Sequence, residues 1–234
     1  MSWPADLFNG FVAAGTLALA AVTVKLARAT NKMVAEASHA RMDALAPKVA
    51  VLDLQVLNKP VQPALDAHAA PGEIDIGTTW DLTQHGEVRI GVMAEGTLVN
   101  EGSTTALVAL NPGRDVEVLE VSAPDNAGSL RPVAQQGDRY VVRPRVTVRV
   151  TFILWRAARD WAQDPSALGE VGLEITGSAK SVIDTCQLTF GKHVLIRHRA
   201  KDGWAIADND MTTVVPNPPP KPVAAIGEVA RRYL

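Results

Sequence analysis

Between Leu7 and Val24 the chain carries no charged side chain, and from Lys25 onward a charged or titratable group recurs every three or four residues. An uncharged run of this length sits at the lower end of the roughly 17–25 residues that a helix needs to cross hydrocarbon. Its apolar surface comes from Leu7, Phe8, Phe11, Val12, Leu17, Leu19, Val22 and Val24. Ala, Gly and Thr fill most of the remainder and Asn9 lies inside it, so it inserts less strongly than a Leu-rich span. Trp3 stands just outside, where an interfacial ring is expected, and Pro4 suits a first turn because its missing N–H has no partner there.

The charged half is periodic. Lys25, Arg28, Lys32, Glu36, His39 and Asp43 fall on one stripe of a continuing α-helix, with Lys32 and Glu36 one turn apart. Leu26, Met33, Val34, Ala37, Ala40 and Ala44 occupy the opposite face, and Pro47 stops the helix near Leu45. The spacing predicts one helix of about 40 residues, roughly 60 Å long at 1.5 Å per residue. Residues 1–24 are expected to form the hydrophobic, membrane-spanning part and 25–47 an amphipathic stalk. Lys25, Arg28 and Lys32 flank the C-terminal side of the span, which puts the N-terminus outside and the rest of the chain in the cytoplasm.

Three other readings compete with this single-pass anchor. A cleaved signal peptide is disfavoured by an N-region, MSWPAD, that has an Asp and no Lys or Arg, although "ALA" at 18–20 mimics a cleavage site. An interfacial helix is disfavoured because residues 7–24 lack a polar face. Burial against protein, within a homo-oligomer or a virion-like assembly, remains open. Gly10, Ala14 and Ala18 supply small residues at four-residue steps through which two such helices can pack closely.

After Pro47 the period changes from helical to alternating. "KVAVLDLQVL" alternates Leu52, Leu54 and Val56 with Val51, Asp53 and Gln55. "EVRIGVMAEGTLVN" puts Val88, Ile90 and Val92 on one face, and "RPRVTVRVTFIL" puts Val146, Val148, Val150 and Phe152 on one face. "GLEITG", "TCQLTF" and "KHVLIRH" continue the pattern. Turn signals at 100–104, 111–115, 124–129, 135–138 and 201–203 separate the runs. Seven to nine short antiparallel strands over 48–215 predict a mainly β chain folded as an antiparallel β-sandwich. Over Gly96–Leu110 the strand and Asn-x-Gly turn in "GTLVNEGSTTALVAL" resemble Ig-like modules, without the Cys–Trp–Cys signature of true Ig domains. The expected class is therefore Ig-like or related, and the resemblance identifies no family. Residues 58–75 read as a surface excursion or partner loop, and "WRAARDWAQDP" as a short helix laying Trp155 and Trp161 over one end of the sandwich.

Residues 216–234 read as an extension. "PNPPPKP" favours polyproline II, and "VAAIGEVARRYL" is expected to be a short helix with Ile226, Val229 and Tyr233 on a partner-docking face.

Composition and motifs exclude more chemistry than they suggest. The 47% hydrophobic content argues against broad disorder, and the aromatics are few, so Val, Leu, Ile and Ala must form the core. Residues after Pro47 carry a small net negative charge, which is not the footprint of a nucleic-acid binder. Cys186 is the only cysteine, so no intrachain disulfide forms, and it lies on the apolar face of a strand. His193 and His198 are five apart and face opposite sides of an extended strand. His39, His68 and His85 have no ligand framing, and Asp202, Asp208 and Asp210 lack the order of a calcium loop. No phosphate-binding or nucleophile motif is present, so no catalytic residue, metal, cofactor or small-molecule ligand is assigned. Arg143, Arg145 and Arg149 form the solvated face of a strand, with anionic lipid headgroups as the alternative contact. The sequence points to a membrane-anchored, non-enzymatic binding or scaffolding protein. Its partners are lipid and other proteins or copies of itself through the N-terminal helix. A structural subunit of a phage or secretion-type particle is the second reading, and an enzyme with a site gathered from loops the third.

Overall fold

The computed structural model describes residues 3–64, 71–125, 127–177, 182–198, 203–207 and 222–233, without the side chains of residues 3–15, Leu45, Ile196 and His198. The chain divides into two compact units, Met1–Leu45 and Ala46–Leu234. The first is one helix, α1 (Trp3–Leu45), about 65 Å long at 1.5 Å per residue. It stops where the sequence predicts, immediately before the buried Ala46 and Pro47.

The second unit contains, in chain order, β1 (Val49–Val56), β2 (Val61–Gln62), β3 (Gly72–Glu73), β4 (Thr79–Trp80), α2 (Leu82–His85), β5 (Arg89–Asn100) and β6 (Ala106–Pro112). There follow β7 (Val116–Pro124), β8 (Leu130–Pro132), β9 (Gln135–Gln136), β10 (Arg139–Val142), β11 (Thr147–Ala157), α3 (Ala158–Gln163) and β12 (Gly169–Gly177). The last are β13 (Val182–Gly191), β14 (Leu195–His198), β15 (Gly203–Ile206), β16 (Val223–Ile226) and β17 (Ala230–Tyr233). Among the described residues these build two seven-stranded sheets and a small third one. The first runs β3-β2-β5-β11-β7-β8 with β1 also on β5, the second β16-β13-β12-β6-β10-β9 with β17 also on β13, and the third β14-β15-β4. The chain is thus mainly β with antiparallel ladders, and it has more strands than the alternating runs predict. The surplus strands, such as β2, β3 and β9, are two to four residues long and too short to show a period.

The core follows from strict alternation in the central strands. In β5, Ile90, Val92, Ala94 and Leu98 point inward, and Val148, Val150, Phe152 and Leu154 of β11 lie beside them, all almost fully buried. Val108 of β6, Val171, Leu173 and Ile175 of β12, and Leu188 and Phe190 of β13 answer from the second sheet. The rings of Phe152 and Phe190 stack across the gap at 6.0 Å. Burying each such side chain contributes on the order of 2 kcal/mol.

The two tryptophans expected to lie together separate. Trp161 of α3 is fully buried, and its indole N–H donates to the Ile90 carbonyl at 3.0 Å. Trp155 lies on the outer face of the first sheet with Ile153 and Val61, and its N–H donates to Glu117 at 3.1 Å. Gly91 makes that position possible, since a Cβ there would lie 2.6 Å from Ile153 Cδ1 and 2.8 Å from the Trp155 ring.

Three expectations change. Leu52 is 57% exposed while Leu54 is buried, because a bulge between Val51 and Asp53 slips the register against β5 and turns Leu52 outward. The 58–75 excursion is tied at both feet: β2 pairs with β3, and the Ile74 N–H reaches the Pro60 carbonyl at 2.8 Å. Lys192, 3% exposed, donates its ammonium to the Leu57 and Asn58 carbonyls, while residues 65–70 and His68 with them lie outside the described residues. Most directly, the predicted C-terminal helix is two strands. Both β16 and β17 add to the edge of β13, so residues 222–233 belong to the sandwich rather than to a separate extension. Twelve residues make a weak isolated helix, whereas the open edge of β13 offers a full ladder to a segment carrying Val223, Ile226 and Val229. The polyproline expectation for 216–222 falls, except for Pro222, outside the described residues.

One end of the sandwich is closed by a buried amide. Asn100, fully buried, donates from Nδ2 to the carbonyls of Thr104 (2.8 Å) and Val142 (3.0 Å) and accepts at Oδ1 from the Gly102 N–H (3.0 Å). Its carbonyl takes the Arg145 N–H at 2.7 Å, and Glu101 donates to the Lys48 carbonyl at 2.7 Å. Gly102 sits so close that a Cβ would lie 2.8 Å from the Lys48 nitrogen. Asn100→Ala removes three side-chain hydrogen bonds at a fully buried position, so urea denaturation is expected to show a loss of about 3 kcal/mol with an unchanged m-value.

Candidate functional site

The described side chains of α1 are exposed from Thr16 to Arg41, including Leu17, Leu19, Val22, Leu26, Met33 and Val34. Thr23 and Thr30 turn their hydroxyls back onto the Leu19 and Leu26 carbonyls, at 2.8 and 2.9 Å. Their donors are therefore satisfied within the helix. Of the expected membrane-span residues, Leu7, Phe8, Phe11 and Val12 have side chains outside the described ones, while Leu17, Leu19, Val22 and Val24 present an apolar surface. Among the described residues no helix is long and apolar enough to cross a membrane. The flanking Lys25, Arg28 and Lys32 are exposed, and Lys32 pairs with Glu36 at 3.7 Å.

A second surface is the β16–β17 strap. Ile226 and Tyr233, expected with Val229 on one helical face, lie instead in the edge strands β16 and β17, and Val229 lies in the link between them, at 43%, 38% and 56% exposure. An ion pair fastens the strap. Arg231 makes a two-pronged contact with Asp184, Nε to Oδ1 and Nη2 to Oδ2, both at 2.7 Å, and Asp184 is an inward-facing carboxylate 6% exposed. Beneath the strap the Cys186 thiol points to the Gly227 carbonyl at 3.3 Å, and burial pushes its pKa up, the opposite of what a nucleophile needs.

The arginines split by environment. Arg143, Arg145 and Arg149 are exposed at the end closed by Asn100, and Arg145 holds a left-handed backbone with φ of 61°. Arg139 instead pairs with Glu174 at 2.6 Å and donates to Thr176 at 3.0 Å, fixing the outer face of the second sheet.

An open cleft of about 330 Å³ lies at the other end, lined by Gly113, Arg114, Asp115, Leu154, Arg156 and Asp164 among others. Arg156 is committed there: it donates to the Asp164 carbonyl at 3.0 Å, lies 3.5 Å from its carboxylate, and stacks on Trp161 at 5.3 Å. Among the described side chains the histidines do not converge. His85 meets Trp80 edge to face at 5.9 Å, and His193 lies in the link between β13 and β14 with a buried Nε2 that has no partner. Among the described residues no group of three His, Cys, Asp or Glu is placed to hold a metal, and Asp202, Asp208 and Asp210 fall outside them. Among the described residues the exposed apolar side chains gather on a helical face and a sheet edge. The Asp184–Arg231 pair and the buried Lys192 escape sequence reading because their partners are remote in the chain. Asn100 leaves a signal, the Asn-x-Gly turn, without its burial.

Arg231→Ala leaves a buried carboxylate unpaired. Because Arg231 itself is partly exposed, the expected loss is about 2 kcal/mol rather than the full cost of a buried pair. Labelling of Cys186 by a thiol reagent is expected to accelerate as the strap opens, and an unchanged rate rules out the fastening role. His193 gives a pH signature. Burial lowers its folded pKa below the ordinary histidine range, with Asp164 opposing, so the unfolded chain binds the proton more tightly. Stability from this group is present above about pH 6.5 and is lost as pH falls through the depressed value. Thermal unfolding of His193→Gln is expected to lose that component of the pH dependence below about pH 6.5.

No family model and no curated protein matches the chain. Among solved structures it is similar to an uncharacterized β-sandwich protein from Clostridium difficile 630, at 12% identity and a TM-score of 0.24, over 57% of this chain and 80% of that one. At that score nothing is carried over from it.

Proposed function

We propose that the protein is a single-pass membrane protein whose α1 tethers a binding or scaffolding β-sandwich, Ig-like or related, to the cytoplasmic face, without enzymatic activity of its own. The observation that carries the reading is the change of chemistry along one unbroken helix. Leu7–Val24 contributes no charge, and Lys25, Arg28 and Lys32 follow at once. An aqueous helix needs a polar face, and the first half has none, whereas a helix leaving a bilayer on its cytoplasmic side needs basic residues at that point. The compact unit that follows, Ala46–Leu234, has a core of its own and so suits a tethered module. Lipid, other proteins and further copies of the chain are the partners this predicts. Nucleic acid is not among them.

Fractionation of cells expressing the full chain tests the anchor. The protein is expected to stay with membranes through a carbonate wash and to leave them only in detergent. A full chain that is recovered without detergent as a discrete particle overturns the anchor and favours a structural subunit packed through α1. Orientation is read with Ser2→Cys, which is expected to react with an impermeant reagent on intact cells. Labelling only after lysis reverses the topology.

A further inference from the structure

The exposed face of α1 has a second period that its charge stripe hides. Thr16, Thr23, Thr30, Ala37 and Ala44 recur every seven residues, and Leu19, Leu26, Met33 and Ala40 recur every seven between them. Together they form a seam with alternating steps of three and four, an average of about 3.5 residues and thus the repeat of a left-handed coiled coil. From these residues we infer that α1 pairs in parallel with the α1 of a second copy along Thr16–Ala44, continuously from the uncharged half into the charged one.

Four features select that occupant. First, the seam places β-branched Thr16, Thr23 and Thr30 at the first core position and Leu19, Leu26 and Met33, unbranched at Cβ, at the second, the same order of side-chain shapes that favours two parallel strands when Ile or Val precedes Leu. Second, Thr23 and Thr30 already donate to the Leu19 and Leu26 carbonyls, so they enter a helix interface with that donor satisfied. Third, the positions flanking the seam are small at Ala20 in the uncharged half and at Ala27 and Ala29 just past its end, which lets two backbones approach there. Fourth, further along, Glu36 and Arg41 fall on the two flanking rows five residues apart. In a parallel pair Glu36 of one copy faces Arg41 of the other, and twofold symmetry makes the contact twice. Lys25, Arg28, Lys32 and His39 lie on the rows furthest from the seam, where they do not repel their counterparts. Leu19, Leu26 and Met33 are 70%, 64% and 68% exposed in the single chain, and pairing covers all three.

The seam does not depend on lipid, so its test separates from that of the anchor. Single cysteines are placed in the full chain on the seam (Leu19→Cys, Leu26→Cys, Met33→Cys) and on its far side (Arg28→Cys, Ala35→Cys), with the unmodified chain controlling for Cys186. Mild oxidation is expected to give covalent dimer as the main species at 19, 26 and 33 and to leave 28 and 35 monomeric. Equal yields on both faces, or none, overturn the seam, and dimer at only one seam position overturns the parallel direction. Glu36→Arg is expected to weaken the dimer roughly fivefold and Glu36→Arg with Arg41→Glu to restore it. A double variant as weak as the single one also refutes the register. Oxidised samples are then carbonate-washed: dimer released into the supernatant sinks the anchor and keeps the seam, while retained protein that is crosslinked equally at 26 and 28 does the opposite.

Discussion

The buried amide of Asn100 holds together what the rest of the β unit only brings near. A turn between sandwich strands leaves backbone groups facing inward, and at this end three segments meet: the β5–β6 turn, the β10–β11 turn and the chain at Pro47–Lys48. An apolar side chain would forfeit the bonds to the Val142 and Thr104 carbonyls and to the Gly102 N–H, at a net cost of about 0.5–1.5 kcal/mol each. Asparagine offers two donors and an acceptor within one planar group, and all are used. Fixing this corner sets the start of β11 and the start of β1 on the two flanks of β5, which is the register from which the first sheet is built. Arg145 accepts a left-handed backbone beside it, a conformation costing about 1–2 kcal/mol, because its N–H is needed at the Asn100 carbonyl.

Edges impose the second constraint. Without its last residues the second sheet would end at β13, a strand with Val182, Asp184, Cys186, Leu188 and Phe190 all facing inward. The strap supplies both what the ladder needs and what the inward carboxylate needs. Strands β16 and β17 take the hydrogen bonds, and Arg231 takes Asp184. A buried carboxylate is a poor choice for raw stability, since an apolar pair of equal volume does as well or better. Its value is discrimination: only a register that brings Arg231 opposite Asp184 is acceptable, which pins a short, otherwise weakly specified strand.

How much of this is legible in the sequence depends on how local the cause is. The end of α1 and the alternation in β5 and β11 follow from side chains within a few residues of one another and stand where the pattern puts them; the helix carrying Trp161 forms too, but only over Ala158–Gln163, with Trp155 left in β11. Leu52 fails because one bulged residue inverts a face without altering composition. The C-terminal segment fails because Ile226, Val229 and Tyr233 suit a helical face about as well as a strand, and what decides is the open edge of β13, some forty residues earlier in the chain. Lys192 and Asp184 are unreadable for the same reason: a charged side chain in an alternating strand predicts exposure, and only the fold supplies the carbonyls or the guanidinium that reverse it.

α1 differs from all of these because its two patterns are equally local and overlap. Charges at three- and four-residue steps mark the side that meets water, and they mask a seven-residue recurrence of Thr and Leu that begins before the first charge and continues past it. A solvent-facing stripe is bound to the medium, so it starts where the medium changes. A seam between two helices is indifferent to the medium, because its partner atoms travel with it. Leu and Met drive association where the surroundings are water, and small residues with self-satisfied threonines permit it where the surroundings are apolar. On the proposed anchor, one continuous seam through both halves is the arrangement in which α1 can keep the same partner on both sides of the change in medium.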